Sequence, residues 1–328
     1  MIAYRRLVAA AILLAFCVVG LGAYVRLSDA GLGCPDWPGC YGHLVGVPDE
    51  PHEHAAAARA FPQKPVETGK AWKEMVHRYF AGTLGLLILG IAVLAWRRRG
   101  EPGRSPLLPT VLLGIVAFQA LLGMWTVTLL LKPVIVTAHL LGGMATLSLL
   151  VWLRLRESGP RSAPPPGTAL RLAGLVALAA VAAQIALGGW VSSNYAALAC
   201  TDFPTCGGAW MPAEMDFRHA FQLRRELGQT ADGALLSHAA LTAIQWTHRT
   251  GALVVALLVG GLAAALIARP AWRRAGLLLA ALLVVQVALG ISNVLLSLPL
   301  AVAVAHNLGA ALLLTAALAV ASRLWQAR

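Results

Sequence analysis

EMVHRYFAGTLGLLILGIAVLAW, residues 74–96, places an acid and an imidazole three residues apart where a long apolar run begins. On a helix that spacing puts Glu74 and His77 on one face. The run that follows is long enough to cross ~30 Å of hydrocarbon, which needs about 20 helical residues. Titratable groups at the mouth of such a span are costly and mark function. The pattern returns in altered form: Gln245-Trp246-Thr247-His248-Arg249 opens another apolar run, and His139 and His306 lie near the starts of two more.

Outward from this stretch, the rest of the chain is of the same kind. It has 328 residues, 59% of them hydrophobic and only 12% charged, the composition of a polytopic membrane protein. Apolar runs fall at roughly 7–26, 76–96, 107–129, 134–153, 170–192, 241–268, 274–296 and 300–322, which predicts eight transmembrane helices. The first run lacks a convincing small-x-small cleavage site and reads as a retained helix, not a signal peptide. The net charge of +12 does not point to nucleic acid, because the basic residues sit in short links between runs and no basic, aromatic-interleaved domain is present. Arg5, Arg6, Arg97 to Arg99, Arg104, Arg154, Arg156, Arg161, Arg171, Arg269, Arg273, Arg274, Arg323 and Arg328 fall on one side. Of the 14 acidic residues, only Glu101 and Glu157 share that side. The positive-inside rule then puts both termini in the cytoplasm.

The halves repeat. CPDWPGC at 34–40 matches CTDFPTC at 200–206, Gln119-Ala120-Leu121-Leu122-Gly123 matches Gln286-Val287-Ala288-Leu289-Gly290, and His77-Arg78 and His139 match His248-Arg249 and His306. Short links force antiparallel neighbours, so the expected architecture is all-α, two pseudo-symmetric four-helix bundles repeated in the same membrane sense. The expected domains are 1–157 and 169–328, joined by a Pro-rich linker at 158–168.

Cys34 and Cys40, and Cys200 and Cys206, lie in the two long outer links. An oxidising outer face favours disulfides. Zinc or free structural thiols are the other readings, and Cys17 inside the first span reads as a small packing residue. Two imidazoles from facing helices are a ligand set for six-coordinate haem. Helix-contact histidines and metal or proton transport are the alternatives. Arg78 and Arg249 suit haem propionates or interfacial snorkelling. At the position three before each histidine, Glu74 can exchange a proton and Gln245 cannot. This points to chemistry in the first half, unless Glu74 is an interfacial acid paired with Lys73 or Arg78.

These residues together resemble the haem A synthase family over nearly the whole chain, from Gly22-Ala23-Tyr24-Val25-Arg26-Leu27-Ser28 through Cys34/Cys40, Glu74-x-x-His77-Arg78, His139, Cys200/Cys206 and His248-Arg249 to His306. The resemblance implies an oxidoreductase that converts a methyl group of haem O to the formyl group of haem A for terminal oxidases, with water as the oxygen source. It implies haem O as substrate between His77 and His139, haem b as cofactor between His248 and His306, Glu74 as the catalytic carboxylate, and disulfides Cys34–Cys40 and Cys200–Cys206. It also implies a bacterial inner membrane location with the haem sites towards the periplasm, and haem O synthase (protohaem farnesyltransferase), oxidase assembly factors and membrane lipid as partners. A di-haem cytochrome b-like electron-transfer protein, and a haem transporter or chaperone without chemistry, are the rival classes. The run His52-Glu53-His54-Ala55 in the first long link has no account at this level.

Overall fold

A computed structural model describes residues 2–101, 105–157 and 165–327. Arg104, Arg161, Arg328 and the first seven residues of the expected linker, 158–164, lie outside them. Among the described residues there is no strand, only isolated bridges in loops. Eight helices are long and apolar enough to span a membrane: α1 (Ile2–Leu27), α3 (Thr68–Arg97), α4 (Leu107–Thr128), α5 (Pro133–Arg156), α6 (Thr168–Ser193), α8 (His238–Ile267), α9 (Arg273–Leu295) and α10 (Leu300–Gln326). Two short helices, α2 (Pro51–Ala60) and α7 (Phe217–Ala220), lie in the long links.

All eight spans fall where hydropathy puts them. The difference is at the start of the second: α3 begins at Thr68, eight residues before the apolar run, because TGKAWKEM continues the helix without being apolar. Glu74 and His77 therefore sit two to three turns inside α3, on backbone already fixed by the helix. Large apolar side chains such as Leu13, Leu86, Leu257 and Val284 are exposed on helix faces, as suits lipid as solvent. Without a hydrophobic drive between spans, close packing at small residues does the work. Gly174 is one such point, where a Cβ would come within 3.0 Å of Leu324. Cys17 does not pack inward; it is exposed on α1.

The chain divides into two compact units, Met1–Thr146 and Leu147–Arg328. In the first, α3 packs between α1 and α4, and the Gln119 side chain of α4 donates to the carbonyl of His139 on α5 at 2.9 Å. In the second, α6, α8, α9 and α10 close a ring, each touching two neighbours. The Arg171 guanidinium on α6 donates to the carbonyls of Leu324 (3.2 Å) and Ala327 at the end of α10.

The connections repeat in backbone detail. Leu130 and Leu131 both have positive φ, as do Ser297 and Leu298. In each corner the second of the pair donates to a carbonyl five residues back, Leu131 to Thr126 at 2.8 Å and Leu298 to Asn293 at 2.7 Å. This closes the helix end as a left-handed cap does. The long first link is folded, not slack. Residues 52–55 are the first turns of α2, with Pro51 at its first position and the Glu53 carboxylate accepting the N–H groups of Asp49 and Glu50. Tyr41, Val47, Ala57 and Phe61 form a small core with Ala71 and Met75 of α3. Burial there pushes the Tyr41 phenol up, and its hydroxyl donates to the carbonyl of Pro65 at 3.0 Å.

Candidate functional site

Each of the four histidine rings rests against a glycine of the neighbouring helix. A Cβ on Gly22 would lie 3.1 Å from His77, on Gly123 3.4 Å from His139, on Gly188 3.1 Å from His248 and on Gly290 3.1 Å from His306. Those glycines make the room the rings occupy. His77 is close enough to His139, and His248 to His306, to interact electrostatically. So the structure brings the histidines together in the expected pairs. The Nδ1 atoms of His77, His139 and His306 are buried without a hydrogen-bond partner. Paired, half-buried imidazoles seated against glycines, three of them with a buried ring nitrogen left unpartnered, fit axial ligands of a haem. Among the described residues, no cluster of three or more His, Cys, Asp or Glu side chains could hold a bare metal ion.

Glu74 is buried, 5% exposed. Its carboxylate accepts the backbone N–H of Cys34 at 3.0 Å, and it is ion-paired with Arg78 one turn on. A buried carboxylate needs such partners. The pairing with Arg78 is thus real, though inside the protein and not at an interface. Gly33 makes the approach feasible: a Cβ there would lie 2.6 Å from the Lys70 backbone of α3. Gln245, in the matching place on α8, is equally buried, yet its Oε1 has no partner.

The two arginines hold the cysteine loops. Arg78 donates to the carbonyls of Asp36 (3.0 Å), Pro38 (3.1 Å) and Gly39. Arg249 donates to those of Asp202 (2.8 Å), Thr205 (2.7 Å) and Cys200 (2.7 Å). Each loop is a tight turn: Cys34 and Cys40 are disulfide-bonded, S–S 2.10 Å, and so are Cys200 and Cys206. The peptides Trp37–Pro38 and Phe203–Pro204 are cis. The Asp36 carboxylate accepts the N–H groups of Tyr41 (2.6 Å) and Gly42 (2.8 Å). Asp202 accepts the Thr205 hydroxyl and the N–H groups of Gly207 (2.7 Å) and Gly208 (2.9 Å), which hold its carboxyl well below the usual range.

Gly33 and Gln184 were not picked out from sequence. Gln184 had a signal: QIALG at 184–188 is a third copy of QALLG at 119–123 and QVALG at 286–290. It escapes a comparison of halves because the matching residue of the first half is Val18.

Residues 5–318 match the family described as cytochrome oxidase assembly protein. The chain belongs to that family. Within the cytochrome oxidase assembly family, it is 46% identical to a haem A synthase of Shewanella oneidensis, over 94% of this chain and 92% of the relative. It is 30% identical to a haem A synthase of a Caulobacter strain, over 93% and 91%, and 29% identical to one of Rhizorhabdus wittichii, over 93% and 89%.

Proposed function

We propose that this chain is a haem A synthase, an oxidoreductase that converts a methyl group of haem O to the formyl group of haem A. The observation that carries the reading is the Glu74 cradle. A buried carboxylate, held by a backbone N–H group and a guanidinium, sits one turn before a half-buried histidine in one half only. In this reading haem O would be the substrate held by His77 and His139; its oxidation with water releases four electrons and four protons, and haem b, held by His248 and His306, would pass the electrons one at a time to an external oxidant. Glu74 does the protein's part of the chemistry. Its carboxylate takes a proton from the water that becomes the formyl oxygen, or from the carbon being oxidised, at an oxygen fixed by the Cys34 N–H. Arg78 stabilises the ionised form between turnovers. In the structure its N–H groups serve Glu74 and the loop, so a propionate would be met by Arg78 and Arg249 through the same guanidinium groups that clamp the loops.

The same reading divides the chain into a substrate-binding bundle, 1–157, and a haem b bundle, 169–328, as two pseudo-symmetric halves. The linker 158–168 and both termini are cytoplasmic, the membrane is the bacterial inner membrane, and the haem sites face the periplasm. A haem O-making enzyme and oxidase assembly factors are the partners that supply haem O and take haem A. The test is Glu74→Gln, which makes the first half resemble the second. General acid–base catalysis contributes about 10²- to 10⁴-fold, so haem A yield should fall by that order while the bound haem O remains. Chromatography of the extracted pigments reads both, and an undiminished haem A yield ends the assignment.

A further inference from the structure

Three of the four histidines are built to one plan. One turn before the glycine that receives the ring, the neighbouring helix carries a glutamine: Gln119 before Gly123, Gln184 before Gly188, Gln286 before Gly290. One turn after the histidine, its own helix carries a second glycine, Gly142, Gly251 or Gly309. A Cβ there would lie 2.2 or 2.3 Å from that glutamine's Oε1. Each amide is thus seated in a notch that only glycine leaves. The Gln184 Nε2 lies 3.0 Å from His248 Nδ1 and donates to the His248 carbonyl at 2.8 Å. That of Gln119 donates to the His139 carbonyl at 2.9 Å, and that of Gln286 is 3.4 Å from His306 Nε2, the other ring nitrogen. All three Oε1 atoms are buried without a partner.

His77 departs at both points. Val18 stands where the glutamine would be, Phe80 where the second glycine would be; the Nδ1 of His77, like those of His139 and His306, is buried without a partner.

We infer that Gln119, Gln184 and Gln286 are positioning residues for iron-ligating imidazoles, and that their omission beside His77 is what lets the first site exchange its haem. The inference rests on the haem A synthase reading. A metal-bound imidazole donates its other ring N–H to an acceptor, which fixes its orientation and raises its basicity. At Gln184, whose amide lies 3.0 Å from His248 Nδ1, turning the amide about its last bond presents such an acceptor to the ring in exchange for its bond to the His248 carbonyl. A resident haem must stay through many turnovers, and both its ligands have a glutamine. A substrate haem must enter and its product leave, and one of its two ligands has none. Glutamines that merely pack helices would explain the notches. They would not explain why the one histidine without a glutamine lies in the half with the acid.

The test uses purified full-length protein in detergent, with excess apomyoglobin as acceptor for released haem, followed by absorbance. Gln184→Met should release haem b about 10- to 100-fold faster and change the low-spin iron EPR signal. Gln184→Glu, which keeps an acceptor, should restore slow release, which a packing role would not require, and its charge should lower the haem b midpoint potential. Val18→Gln with Phe80→Gly completes the pattern at His77. It should slow release from the first site and leave haem A bound at the expense of turnover. If Gln184→Met does not accumulate, the other two variants decide alone. Release rates, EPR signal and potential unchanged across the variants overturn the inference. Wild-type protein with no haem by pyridine haemochrome overturns the haem A synthase reading instead.

Discussion

Two buried positions, Glu74 on α3 and Gln245 on α8, show how matching stretches of sequence are given different surroundings. Both sit three residues before a histidine and four before an arginine. At Glu74 the arginine splits its donors between the carboxylate and the cysteine loop. At Gln245 there is no charge to neutralise, and Arg249 gives its donors to three loop carbonyls. The loops differ to match. Gly33 lets the chain lie against α3 so that the N–H of Cys34 reaches the acid, whereas Ala199 stands at the same point of the second loop. A carboxylate can be kept in this interior only where backbone and guanidinium donors converge on it, and the first unit is shaped to supply them.

The comparison breaks most sharply at Arg78. Arg78→Met leaves Glu74 buried without its cation, a loss of about 3–5 kcal/mol, measurable as thermal unfolding in detergent. Arg249→Met strands no charge and should cost less. Glu74→Gln added to Arg78→Met should recover much of the loss, because the stranded charge is gone. If the double variant is no more stable than Arg78→Met, the cradle does not hold an ionised acid. Gly33→Ala gives the first loop the second loop's residue. Its Cβ meets the Lys70 backbone, so overpacking of about 1–3 kcal/mol should move the Cys34 N–H away. In the proposed reading, haem A formation should then drop while haem b content stays, read from extracted pigments. Ala199→Gly should leave activity unchanged.

The smallest effect belongs to Asp202. Its carboxyl titrates below the unfolded value of about 3.9, so its contribution is complete above that value. It is lost as pH falls through the lower, folded one. Asp202→Asn should speed amide exchange at Gly207 and Gly208 near neutral pH, and should abolish any further acid opening of the loop. Equal exchange in both proteins would show that the turn stands without the carboxylate.

The spans were legible because lipid demands long apolar runs, and the histidine pairs because polar groups in such runs are rare enough to stand out. What was not legible came from contacts between distant backbone segments. Nothing in TGKAWKEM says that α3 starts at Thr68, since helix continues there without an apolar pattern. The role of Gly33 depends on how closely one loop lies on one helix. The loop-clamping role of Arg78 and Arg249 depends on carbonyls roughly forty residues away in sequence, which no side-chain pattern records. His52 to Ala55 had no period long enough to announce α2. Cys17 was placed by hydropathy alone, which does not say which face of α1 meets lipid.

The left-handed corners at Leu130–Leu131 and Ser297–Leu298 each lie eight residues before a histidine, His139 and His306. Each helical residue turns the chain by about 100°, so adding or deleting one residue between knuckle and histidine would swing the imidazole towards lipid. These corners therefore act as the dial stops of the molecule, and their length is under tighter constraint than their side chains.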